Sequence, residues 1–459
     1  MAATVQTVQQ AYRFALDPTP RQQGRLASHA GAARFAFNWG LGLIKERLDR
    51  RAAGEDVPVP WTLYGLRREW NQAKGAVAPW WPENSKEAYS SGLDGLARAL
   101  KNWQDAKQGR RKGRMVGFPR YKRKGRSREA CRFTTGAIRV EPDRHHVTLP
   151  RLGPIKTHES TRKLARRLEQ GTARILAATI SRHAGRWFVS FCCQVRRAVR
   201  GPQRPGARVG VDVGIRHLAV LSDGDTIPNP APLQACLRRL RQLNRQLARR
   251  CGPIAPDGSK RQPSQAWLQT TQQLGRAHAR VANVRRNRLH HLTSALAATY
   301  GTVVVEHLNL AGMLGNRRLA RRLADAGVGE LRRQLCYKIA WVGGRLVEAD
   351  TFYPSPTTCS SCGHVKAKLP LSERTYRCEC CGLVADRDLN AARNLAKLVD
   401  DLDEDLDHVA GSGPETPNAR GADLRPGLAG LTAVKREAGT RHPWVRPAPS
   451  ARKRRLPGS

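Results

Sequence analysis

The chain has 459 residues, enough for several domains and a sizeable core, and it sets 81 Lys and Arg against 37 Asp and Glu for a formal charge of +44. A charge of that size repels itself unless a polyanion neutralises it, so nucleic acid is the first partner to expect. With 40% hydrophobic residues and 10 Trp the composition excludes a basic disordered chain. The absence of any apolar run near the ~18 residues needed to span a bilayer, and of a secretory leader, points to no membrane and a cytoplasmic, nucleoid-associated protein.

In chain order, residues 21–115 carry helical patterning, with Phe35, Trp39, Leu43 and Leu48 spaced for one face and a Trp-rich stretch at Trp70, Trp80, Trp81 and Trp103. This predicts a small helical module. From 101 to 130 the chain holds 12 Lys and Arg against Asp105 and Glu129, a run suited to tracking phosphates. Within it Arg120, Tyr121 and Lys122 could hold a nucleic-acid backbone, while Tyr121 could equally pack into the neighbouring β-structure. Between 131 and 196 short β-rich segments alternate with turns, and His-Ala-Gly between ILAATISR and RWFVSFCCQV predicts a hairpin. A small barrel or sandwich is expected there.

A Pro/Gly/Arg linker precedes RVGVDVGIRHLAVLSDG, so a new domain starts near 207, with two strands joined by a tight turn. Amphipathic helices over Leu237–Leu247 and near 276–298 lead to the strand TVVVE, which ends at Glu306. Alternating strands and helices predict an α/β layer. Beyond residue 400 an acidic start and Gly/Pro/Arg-rich sequence predict a disordered tail over 401–459. That tail holds 10 Lys and Arg against 8 Asp and Glu, so +42 of the charge belongs to residues 1–400.

Five of the 11 Cys crowd between 359 and 381. Cys359-x-x-Cys362 and Cys378-x-x-Cys381, with 15 residues between the pairs, have the two-knuckle spacing of a ribbon folded on tetrahedral Zn²⁺. Gly363 and Gly382 follow the knuckles, where the returning chain needs positive φ. Cys380 falls outside the register. Four thiolates close the coordination sphere, so the zinc is expected to be structural; Lys366, Lys368 and Arg374 are either nucleic-acid contacts or a solvated face.

Three acids stand out in so basic a chain: Asp212 within GVDVG, Glu306 after TVVV, and Asp388 in DRDLNAARNLA. A charge on an apolar central strand is costly unless a cation neutralises it. Brought together, such carboxylates can hold two Mg²⁺ ions about 3.5–4 Å apart for phosphodiester hydrolysis. Taken singly, each could be a cap or an ion-pair partner, and either Asp386 or Asp388 suits a helix N-cap.

The ordered set GVDVGIRHLAVLSDG, VVVEHLNLAGM, CSSCG to CECCG and DRDLNAARNLA resembles the transposon-encoded TnpB family, relatives of type V CRISPR effectors, and YRFALDPTPRQ, ARFAFNWGL, GFPRYKRK, RFTTGAIRV and VTLPRLGPIK extend the likeness over roughly residues 10–398. The resemblance implies an α/β multidomain protein: a RuvC-like domain of RNase H fold (207–350 and 383–400), a zinc ribbon inserted at 351–382, and a wedge-type β-barrel (1–20 and 116–200) interrupted by a helical recognition module (21–115). It further implies an RNA-guided DNA endonuclease that takes a guide RNA from the transposon end and cuts double-stranded DNA beside a short adjacent motif. By position Asp212, Glu306 and Asp388 match the catalytic acids, with Asp386 the alternative to the third. Asp212 would be shared between two Mg²⁺ ions, Mn²⁺ being an alternative metal, and Glu306 and Asp388 would complete one each. A non-cleaving RNA-guided regulator of transposition or transcription, and a strand-joining transposase, are the competing readings. The oligomeric state is open, with a monomer favoured.

Overall fold

The computed structural model describes residues 4–410 apart from Lys112, Arg114, Pro256, Asp257, Lys260, Phe352 and Leu371, with backbone only over 400–410. Strand β1 (Val5–Asp17) is followed by helices α1 (Pro20–Ala52), α2 (Leu63–Val77) and α3 (Lys86–Lys107) before the chain returns to strands. Helix α1 begins where the sequence caps it: Thr19 Oγ1 accepts from Gln22 N at 3.3 Å, Gln22 Oε1 accepts from Thr19 N at 3.0 Å, and Pro20 follows. Its fully buried face runs through Leu26, Ala30, Ala33, Phe37, Leu41 and Ile44, with Phe35, Trp39 and Leu48 packed along the margin. The buried stripe therefore differs from the aromatic one expected from sequence, because small residues let α3 approach. A Cβ on Gly92 would stand 2.1 Å from the Ala33 carbonyl oxygen.

The strands that follow are β2 (Ala130–Phe133), β3 (Arg139–Val140), β4 (His146–Leu149), β5 (Gly153–Thr157), β6 (Ala173–His183) and β7 (Arg186–Ala198), with helix α4 (Arg162–Glu169) between β5 and β6. They join β1 in an all-antiparallel sheet of order β2-β6-β7-β1-β5-β4-β3. Among the described residues the end strands β2 and β3 do not pair, so the ladder is open at its ends, where a small barrel or sandwich was expected. Ala184 and Gly185, both at positive φ, make the tight β6–β7 turn. Sheet and helices α1–α3 share one core.

A second sheet holds β8 (Arg204–Asp212), β9 (His217–Leu221), β10 (Thr226–Pro228), β11 (Tyr300–Glu306) and β12 (Arg345–Ala349) in the order β10-β9-β8-β11-β12. Strands β11 and β12 run parallel to β8 and β9 runs antiparallel to it. Helices α5 (Pro232–Ala248) and α6 (Gln265–Thr299) link β10 to β11, and α7 (Leu310–Gly315), α8 (Ala320–Ala326) and α9 (Val328–Trp341) link β11 to β12. The core lies between the sheet and α6, α8 and α9, around Val209, Val211, Leu292, Val303, Val305 and Leu335. After β12 come a two-stranded hairpin, β13 (Thr375–Arg377) and β14 (Val384–Asp386), and helix α10 (Arg387–Ala410), whose Leu395 and Val399 pack on Val304.

The expected tail needs correction at its start: residues 401–410 continue α10. Leu395, Val399, Leu402 and Leu406 keep a helical spacing that the acidic run conceals in sequence. Residues 411–459, the rest of that expectation, lie outside the described residues. Among the described residues no helix is long and apolar enough to cross a membrane.

Candidate active site and metal centre

Strands β8 and β11 lie side by side and parallel, with Val211 in register with Val305, so the next residues, Asp212 and Glu306, close the C-terminal ends of neighbouring strands. In an open α/β sheet this is where ligands are received. Asp388 reaches the same place from another direction, on the first turn of α10, which packs across β8 and β11. The contact point is Gly210, where an added Cβ would collide with the Ala392 carbonyl. Gly210 and Asp212 share a strand face, and Asp388 precedes Ala392 by one helical turn. Closing the helix onto Gly210 therefore carries Asp388 towards Asp212.

Asp212 keeps part of its surface open, yet protein crowds it closely. Its carboxyl is pushed up to about 8, first by loss of hydration and then by the charges of Glu306, Asp388 and Asp386, against which Arg387 acts. A carboxyl raised by burial and by like charges is short of a cation. Glu306 Oε1 accepts from the hydroxyl of Ser355, a fully buried residue that fixes the carboxylate. Asp388 faces Arg374 of the hairpin at 3.7 Å. Asp386 does different work: its Oδ1 accepts from Asp388 N at 2.9 Å and Leu389 N at 3.1 Å, so it caps α10 and its side chain is exposed. Of the two acids left open by sequence, Asp386 carries the cap, and both raise the Asp212 carboxyl, Asp388 the more.

The four cysteines converge more tightly. Among the described residues Cys359, Cys362, Cys378 and Cys381 are the group whose ligand atoms all lie within 4.8 Å of one another. Cys359 and Cys381 sulfurs are 3.6 Å apart, as are those of Cys362 and Cys378. Gly363 and Gly382 have φ of 75° and 72°. Ser361 N donates to Cys359 Sγ and Cys381 N to Cys378 Sγ, and the latter amide leads in drawing the Cys378 thiol down to about 6. A compact all-thiol set suits zinc, and the exposed Cys380 stands outside it. The carboxylates spread wider and offer oxygen alone, which suits hard cations such as Mg²⁺.

A buried Asn pair joins the two sites. Asn394 Nδ2 donates to the carbonyls of Ser355 and Thr358, both at 2.7 Å, and Asn390 bridges Thr358 O at 2.7 Å and Ser360 N at 2.9 Å. Helix α10 thus grips the segment that begins at the Glu306 partner Ser355 and ends at the first knuckle. Sequence reading missed Gly210 and Ser355, and saw Asn390 and Asn394 only as following Asp388 in the last helix pattern, without their bonding role. The usable signals were a glycine inside an apolar strand and two Asn one turn apart on the apolar face of the last helix. Of the surface cations singled out from sequence, Lys366 pairs with Glu379 at 3.2 Å and Arg374 with Asp388, whereas Lys368 is exposed. Tyr121 is 48% exposed beneath Lys45, outside the β-sheet core, and Lys122 lies over the Phe37 ring at 3.8 Å.

Residues 190–317 match a family described as "Probable transposase", residues 329–395 the "Cas12f1-like, TNB domain", and residues 6–52 a "Helix-turn-helix domain". In this chain the last span is strand β1 followed by the single helix α1. Several bacterial relatives bear the name "Putative RNA-guided DNA endonuclease", among them the following two. Rv2885c of Mycobacterium tuberculosis is 42% identical over 95% of each chain, and InsQ of Escherichia coli is 30% identical over 84% of this chain and 91% of its own. Among solved structures, "Cryo-EM structure of the Cas12f1-sgRNA-target DNA complex" aligns over 85% of this chain and 99% of that one, with a TM-score of 0.44 at 14% identity.

Proposed function

The chain belongs to the TnpB family, and on that footing we propose that it is an RNA-guided DNA endonuclease, cutting target DNA beside a short adjacent motif by Mg²⁺-dependent phosphodiester hydrolysis. The observation that carries this reading is the convergence of Asp212 and Glu306, at the ends of adjacent parallel strands, with Asp388 of α10. The sheet order, with β9 reversed among four strands of one direction, supports a RuvC-like domain over 207–350 and 383–400. The zinc ribbon is assigned to 351–382, the wedge-type module to 1–20 and 116–200, and the helical recognition module to 21–115.

Mg²⁺, with Mn²⁺ as the alternative, would be held by Asp212, Glu306 and Asp388 and would supply Lewis acidity at the scissile phosphate. Asp212 stands on the central strand β8, beside the strand of Glu306, and both Glu306 and Asp388 raise its carboxyl. Ser355 occupies Glu306 Oε1 and so orients the carboxylate. Arg374 pairs with Asp388 at 3.7 Å. Cys359, Cys362, Cys378 and Cys381 would hold Zn²⁺, which would fix the hairpin that abuts α10. Guide RNA from the transposon end would choose the target by base pairing, and the +42 body supplies the positive surface that RNA and DNA require.

The test expresses the protein with the transcript of its flanking DNA, supplies a programmed guide, and follows loss of plasmids bearing the target beside randomised sequence. Depletion of one motif class by wild type, and none by Asp212→Ala, is the expected result. Target binding without depletion would replace this reading by the non-cleaving regulator.

A further inference from the structure

The acidic run beyond residue 399 takes no part in the carboxylate site, yet it belongs to the helix that carries Asp388. Asp400, Asp401, Asp403, Glu404, Asp405 and Asp407 stand within eight residues, and no Lys or Arg occurs from 400 to 410. Such a sequence opposes its own helix. Its acids repel one another at i, i+3 and i, i+4 spacings, and they gather at the helix C-terminus, where the macrodipole favours cations. Helix α10 nonetheless runs to Ala410, so positive charge has to reach it from elsewhere in the molecule.

The nuclease sheet supplies that charge one row below the last apolar contact. Val304 is in register with Gly210 of β8 and with Val347 of β12, and this row lies under Ala392, Leu395, Ala396 and Val399. Side chains alternate along a strand, so the next row on the same face is Arg208, Thr302 and Arg345, again in register across the three strands. From Asp388 at the C-terminal ends of the strands, α10 descends towards their N-terminal ends. Two strand residues cover about 6.6 Å, a little over one helical turn, which brings the arginine row beneath α10 at about residues 400–404.

Spacing sorts the acids onto that row. Asp400, Asp403 and Asp407 follow Ala396 at i+4, i+7 and i+11, and the Ala396 amide nitrogen lies against Gly210, on the side of β8 and Arg208. Leu402 and Leu406 continue the stripe of Leu395 and Val399. Asp405 follows Leu398 at i+7 on the opposite margin of the stripe, the side of β12 and Arg345.

We propose that the acidic end of α10 docks by ion pairs on Arg208 and Arg345, an internal polyanion that neutralises this face of the sheet and withholds it from nucleic acid. The same contact fastens the far end of the helix whose first turn holds Asp388. Neither effect depends on whether the chain cuts DNA.

Hydrogen exchange of the full chain reads the docking locally. Amides of 400–408 should be protected in the natural chain, lose protection roughly threefold to tenfold in Arg208→Glu, and regain it when Asp403→Lys is added. A random-sequence DNA duplex, with affinity measured over a salt series, reads the neutralisation. Arg208→Gln should leave DNA affinity unchanged in the natural chain, because that charge is already matched. In a chain carrying Asp400→Asn, Asp403→Asn and Asp407→Asn the same change should weaken binding roughly threefold and lower the salt slope by about 1. Arg208 is exposed, so glutamine fits there without repacking. Unprotected amides in the natural chain, no recovery in the charge-reversed pair, or an equal effect of Arg208→Gln in both backgrounds would overturn the docking and leave the nuclease reading standing.

Discussion

Gly210 and Ala392 meet backbone to backbone: a Cβ on Gly210 would stand 1.9 Å from the Ala392 carbonyl oxygen and 2.6 Å from the amide nitrogen of Ala396. Nothing there is a flexible side chain that could move aside. Gly210→Ala must lift α10 from β8, at a cost of about 1–3 kcal/mol by overpacking. Because Asp388 rides on the same helix, cleavage should fall further than the lost stability explains. Thermal melting run beside a plasmid cleavage assay tests this, and a fully active alanine variant would show that the contact does not set the position of Asp388.

Metal-free protein should lose stability as pH rises through the window that Asp212 defines. Its folded carboxyl holds a proton to about pH 8, whereas an unfolded one releases it near 3.8. Between these values the folded state binds the extra proton, so acid favours folding and the advantage is gone above pH 8. Asp212→Asn should flatten this part of the profile and raise the neutral-pH melting temperature while abolishing cleavage. Melting curves of both proteins across the window, in chelator, give the difference directly; parallel curves would show that Asp212 titrates normally.

Purified protein should contain about one zinc, absent after Cys359→Ser combined with Cys378→Ser and retained after Cys380→Ser. Since Asn390 and Asn394 tie the first knuckle to α10, zinc loss should also reduce cleavage. Metal analysis together with activity checks both statements. Retention of zinc by the double variant would reassign the ligands.

Asn394→Ala strips a donor from the carbonyls of Ser355 and Thr358 at a buried site, with an expected cost of about 1–3 kcal/mol. It should also loosen Ser355 against Glu306. Denaturant titration and a Mg²⁺ dependence of cleavage separate the effects, a raised Mg²⁺ requirement being the signature of a slackened Glu306.

Much of the carboxylate site was legible because each acid contradicts its surroundings. Asp212 interrupts an apolar strand, Glu306 ends one, and Asp388 opens a helix, and in a chain of +44 such positions stand out. The cysteine register was legible for a similar reason, since metal coordination fixes spacing. Asp386 and Asp388 could not be separated in one dimension, because a cap and a ligand at the same helix start differ only in where the backbone turns. Gly210 and the bonding role of the Asn pair escaped notice because their work is done against residues almost 200 positions away in one case and on a neighbouring loop in the other. The buried stripe of α1 was misplaced towards its aromatic residues: Ala33 and Gly92 let two backbones approach, and bulky rings were pushed to the margin. The helical continuation to Ala410 was hidden by acidic residues between correctly spaced leucines.

The late position of α10 in the chain also sets an order of events during synthesis. A ribosome that has delivered Asp212 and Glu306 has made most of the protein, yet Asp388 and the two asparagines that hold the Ser355–Ser360 segment emerge only with α10, on the order of ten seconds later at ordinary elongation rates. On the proposed reading the nascent chain would until then gather nucleic acid on its basic surfaces without the means to cut it, and a premature stop in that interval would leave a binder and not a blade.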